Sequence, residues 1–126
     1  MICTDLGIAG KSKNFHPRLV GTFPRVLGRY VRDKKVTTLP EMIRKMTSLP
    51  AFVYGFDQKG IIKEGYDADI CIFDAEKIID RADYDNCSAK SEGLYFVLVG
   101  GEVVLENGIY NGKRKGMVVT PGIGKF

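Results

Sequence analysis

The 126-residue sequence has no tryptophan, a single histidine, and three cysteines with no Cys-x-x-Cys pair among them. A catalytic zinc site takes about three protein ligands, commonly His with Asp, Glu or Cys, so His16 and the scattered acids cannot supply one. Cys3, Cys71 and Cys87 are odd in number and offer no zinc ribbon, redox pair or disulfide framework. Cys71, inside Ile70-Cys71-Ile72, reads as a small buried hydrophobe, and this cysteine usage fits a cytoplasmic location. No apolar run reaches the roughly 18–20 residues of a membrane span, and no charged-then-apolar leader opens the chain, so no membrane partner is expected. A Gly-x-Ser-x-Gly nucleophile elbow is missing. Length excludes as well: a complete (β/α)8 barrel needs roughly 200–250 residues, so this chain holds at most part of one.

What is present is enough for a real core: 44% hydrophobic and 27% charged residues, with a net charge of +4. The charge is unevenly spread. Residues 1–50 carry ten Lys or Arg against three Asp or Glu, and residues 51–126 carry nine against twelve. A basic half joined to an acidic half suggests an anion-binding face, a nucleic-acid face or two pieces of different origin, beside the plain reading of solvated surface charge.

The hydrophobic pattern changes at the same place. Met1 to Asp5 reads as a short strand, and residues 6–17 as a loop too long for a tight turn. Pro24 opens a helix over about 24–33, with Val26, Leu27, Tyr30 and Val31 on its packing stripe and Gly28 weakening it. Arg25, Arg29 and Arg32 form a solvated, salt-bridged face, and no nucleic-acid partner is expected of them. Thr38-x-x-Glu41 is a capping box that starts a second helix over about 39–48. Pro50 opens a further turn that Gly55 closes in the left-handed conformation. Beyond residue 56 come strand-type runs: Ile61-Ile62, Ala68 to Phe73, Tyr95 to Val99 and Glu102 to Leu105. Gly100-Gly101 and Asn107-Gly108 mark hairpins, the second leading to Ile109-Tyr110. Asp80 to Glu92 is polar and weakly patterned, a surface connection. The fold class is α+β, with residues 1–55 helical and residues 56–126 forming a small β-sandwich-type domain or meander.

Three segments together carry a family resemblance. The run from Phe15-His16-Pro17-Arg18 to Leu27-Gly28-Arg29-Tyr30, the helix Glu41 to Ala51, and the stretch from Lys59-Gly60-Ile61-Ile62 to Ile70-Cys71-Ile72-Phe73-Asp74 resemble the C-terminal part of the D-aminoacylases. These are the N-acyl-D-amino-acid deacylases of the amidohydrolase superfamily. The likeness spans about residues 1–118. It implies that residues 1–55 are the last strand, substrate loop and helices of a TIM-type (β/α)8 barrel, and that residues 56–126 are its small β-domain.

The resemblance also implies roles. Asp5 corresponds to the aspartate ending the eighth barrel strand, where the family reads Gly-Ser-Asp-Gly and this chain Cys3-Thr4-Asp5-Leu6. A carboxylate there takes a proton from the attacking water and returns it to the leaving amine. It also adds weakly to zinc coordination, the main ligands belonging to earlier strands outside this chain. Arg18 corresponds to the arginine that anchors the substrate α-carboxylate, a task suited to a planar guanidinium. His16 is read as a supporting residue of that loop. The expected function is that of a zinc hydrolase cleaving the acyl amide of N-acyl-D-amino acids, its partners the substrate and the rest of the barrel. The isolated 126 residues are expected to be inactive and to self-associate. The alternative is a non-catalytic structural or oligomerisation β-module.

Overall fold

The computed structural model describes residues 1–4 and 15–122. Helix α1 (Arg18–Arg25) runs directly into a π-helical stretch, Val26–Asp33, and is followed by α2 (Leu39–Met46) and α3 (Ser48–Tyr54). The sequence places the first helix start at Pro24, yet Pro24 lies inside α1. Its ring nitrogen has no hydrogen to offer the Val20 carbonyl. Downstream of it the ladder shifts to the wider i→i+5 pairing, as in Lys34 N–H to Arg29 O at 3.0 Å. The stretch ends where Lys35 takes a φ of 51°.

The second helical unit follows its local signals. The Thr38 hydroxyl accepts from Glu41 N–H at 3.4 Å, while the Glu41 carboxylate turns to Arg44 at 2.9 Å instead of back to the cap. Thr47 interrupts the helix expected over 39–48, and its hydroxyl donates to Ile43 O at 2.8 Å. Gly55 closes α3 with a φ of 65°, and Phe56 N–H reaches back to Ala51 O at 2.8 Å.

The sheet is a four-stranded antiparallel meander in sequence order: β1 (Ile70–Phe73), β2 (Leu94–Val99), β3 (Glu102–Glu106) and β4 (Ile109–Tyr110). Both expected hairpin turns have two consecutive positive φ values, 57° and 81° at Gly100-Gly101 and 48° and 76° at Asn107-Gly108. These are the primed turns that match strand twist. Asp69 ties the first turn down: its Oδ1 accepts from Gly100 N–H at 2.8 Å, and the neighbouring Ala68 carbonyl accepts from Gly101 N–H at 3.0 Å. Lys59 holds Asp67 and Asp69 together from the other side, at 2.8 and 2.5 Å.

Three strand expectations are corrected. Among the described residues there is one sheet and no second layer of a sandwich. Ile61-Ile62 is an exposed connection, because no neighbouring strand pairs with it. Residues 1–4 form no strand either; Ile2 N–H donates to Lys45 O at 3.3 Å, a helix carbonyl and not a sheet edge.

The core is shared by both halves. Leu27, Val31 and Met42 pack on Ile78, with Ile43, Phe73 and Leu94 around them. Ile78 is only 2% exposed. Burying one such side chain is worth about 1.5–3 kcal/mol. Tyr30, expected in this stripe, is exposed, with the Lys34 ammonium 5.3 Å from its ring centre. A helix that switches to π pairing rotates its later residues away from the 3.6-residue stripe.

Candidate functional site

The residues of the His-Pro-Arg segment lie at the start of α1 and line a cavity of about 370 Å³. Its other wall comes from the polar stretch that sequence reasoning took for a surface connection. That stretch pairs Ile79 with Glu92 in an isolated antiparallel bridge. Ile78 enters the core, Asp80 lies against Gly21 and Arg25, and Ala82, Asp83 and Tyr84 line the cavity.

Asp80 is the charged group most enclosed here, its side chain 6% exposed against 42% for Arg25. The Arg25 Nε and one terminal nitrogen both reach Asp80 Oδ2, at 2.8 and 2.7 Å. The carboxylate is thus taken from water and given a guanidinium in exchange. Arg32 similarly crosses to the chain beyond β1, donating to Ile78 O at 2.8 Å and to Ala75 O at 3.4 Å. Of the three arginines read as a solvated, salt-bridged face, Arg29 is exposed, while Arg25 and Arg32 carry salt bridges, to Asp80 and Asp33, but are half-buried and bridge the helix and sheet halves.

His16 is held at both ring nitrogens. Its Nδ1 accepts from Arg18 N–H at 3.0 Å, and its Nε2 lies 2.9 Å from the Tyr84 hydroxyl. Tyr84 was not anticipated. Arg18 lines the same cavity as His16. Asp5 lies outside the described residues.

A larger cavity of about 630 Å³ opens between α2 and β1, lined by Ile43, Ile61, Cys71 and Phe73 among others. Cys71 is exposed on the edge strand and not buried as expected, because no further strand or layer covers β1. The apolar groups beside it still push its thiol above the ordinary range, which disfavours the reactive thiolate. Among the described residues no three His, Cys, Asp or Glu side chains gather as a metal centre requires, so these residues do not fit one. No helix among them is long and apolar enough to cross a membrane.

This architecture, with helices feeding a sheet through a Gly-x-x-Ala-Asp turn anchor, has known counterparts. The profile of the Amidohydrolase family matches residues 4–105, and the chain belongs to that family. It is similar to the N-acyl-D-glutamate deacylase of Alcaligenes xylosoxydans xylosoxydans, 48% identical over 86 residues that make up 68% of this chain and 18% of the relative. The crystal structure of a D-aminoacylase superposes with a TM-score of 0.81 at 38% identity, over 83% of this chain and 22% of that one. An N-acyl-D-glutamate deacylase from Bordetella bronchiseptica superposes with a TM-score of 0.70 at 46% identity, over 71% and 19%; that protein is complexed with zinc and a phosphonate mimic of the tetrahedral intermediate. The chain thus spans about a fifth of the length of these relatives.

Proposed function

We propose that this chain is the C-terminal part of a deacylase that hydrolyses the acyl amide of N-acyl-D-amino acids. Arg18 anchors the substrate α-carboxylate, and Asp5 carries a proton between the attacking water and the leaving amine. In this reading residues 1–55 complete the barrel and residues 56–126 form its β-domain. The zinc known in the Bordetella relative is then held by residues outside the described set, and the isolated chain does not turn over. The observation that carries the reading is that Arg18 lines a cavity of about 370 Å³ together with His16, Arg25 and Tyr84.

The test is a chimera in which residues 1–118 replace the matching segment of the Alcaligenes N-acyl-D-glutamate deacylase. R18M is expected to raise KM roughly 10- to 100-fold for substrates with a free α-carboxylate, the worth of a lost charge-assisted pair. The same change should leave an α-amide substrate nearly unaffected, and an equal loss on both would remove Arg18 from this role. D5N should abolish turnover while the metal content stays unchanged.

The exposed apolar side chains, among them Phe52 and Ile62, favour a second reading, a structural or oligomerisation module without chemistry. It is the correct one if both variants of the chimera keep full turnover.

A further inference from the structure

Resting on Arg18 as the substrate anchor, we infer that Tyr84 is a positioning residue, which holds the His16 imidazole as the cap of helix α1 and thereby sets the seat of Arg18. The reasoning starts from the helix end. The first amides of a helix have no partner within it. Here the N-cap residue is Pro17, which supplies no side-chain acceptor. Leu19 N–H is taken by His16 O at 3.0 Å, and Val20 and Gly21 N–H by Pro17 O at 3.2 and 3.0 Å. Arg18 N–H is left, and the His16 Nδ1 takes it at 3.0 Å.

A ring nitrogen that accepts a hydrogen bond bears no hydrogen, so the neutral imidazole carries its proton on Nε2. That N–H is then the donor to the Tyr84 oxygen at 2.9 Å. The two rings meet edge to face, 5.3 Å between centres and 76° between planes, which holds the orientation of the imidazole. Tyr84 arrives from 68 positions along the chain, on the same stretch that delivers Asp80 to Arg25. One segment therefore clasps α1 at both ends: through His16 at the residue that carries the anchor, and through Arg25 at the other. Both His16 and Tyr84 are exposed, so the clasp works by hydrogen bonding and not by core packing.

The chain has a single histidine, so its two imidazole nitrogens give unambiguous signals in nitrogen-15 NMR. At about pH 8.5, well above the ordinary imidazole range, the wild-type chain should show an unprotonated Nδ1 and a protonated Nε2. In Y84F the Arg18 amide should exchange with solvent roughly five-fold faster, what one net hydrogen bond is worth, with the melting temperature lowered by no more than the few degrees that one such bond accounts for. In the chimera Y84F should raise KM for free-carboxylate substrates several-fold and leave kcat nearly unchanged. A protonated Nδ1 in the wild-type chain, or an Arg18 amide indifferent to Y84F, overturns the assignment. If the NMR results hold but R18M leaves KM unmoved, the anchor reading fails while the clasp stands.

Discussion

Gly28 lies where the first helix meets the chain after β1. A Cβ built there would stand 2.3 Å from the Ile78 carbonyl oxygen and 2.8 Å from Ile79 Cδ1. Helix propensity alone favours alanine over glycine by about 1 kcal/mol. The obstacle is a backbone oxygen that cannot swing aside, so the clash should win. G28A is expected to destabilise the chain by about 1–3 kcal/mol in urea unfolding, as overpacked sites do; a more stable variant would show that the two segments separate easily. Read along the chain, this glycine only weakens a helix. Its reason lies 50 positions away, where no periodicity reports it. The half-burial of Arg25 and Arg32 has the same origin, since their partners Asp80 and Ile78 O come from beyond β1.

Elements whose signals are local were legible. The Thr38 cap, the Gly55 closure and both hairpin turns depend on residues within a few positions of one another, and each forms where expected. The start of α1 was not legible, because Gly21 against Asp80 and the His16 cap set it from outside the helix. The β2–β3 hairpin depends on Asp69, whose carboxyl is held below its usual range by the Lys59 hydrogen bond first and the Gly100 amide second. A depressed carboxyl adds stability above its unfolded pKa and loses it as pH falls through the folded one. D69N keeps an acceptor for Gly100 but loses the charge. Its urea midpoint should fall at pH 7 by an amount worth about 0.5–1 kcal/mol, discounted for the solvent around the pair. The gap to wild type should close below about pH 4, where the ordinary carboxyl also protonates. A gap that persists undiminished at pH 3 would assign the effect to something other than this charge.

At the scale of the whole molecule, much apolar surface faces outward. Ile62 is 86% exposed and Phe52 77%, and among the described residues no large side chain is fully enclosed. Patches of this kind on an isolated chain drive association. Sedimentation velocity should show species larger than a monomer that grow with concentration, and a strictly monomeric boundary at high concentration would contradict this. The fold class and the change of character near residue 55 could be read from composition and pattern. The single shared core could not, because Ile78 belongs to the sheet half in sequence and to the helices in space. For anyone recombining such proteins, the visible seam is thus the wrong place to cut. A graft that carries only the helices would leave behind the strap from Ile78 to Tyr84, and with it the groove that strap walls.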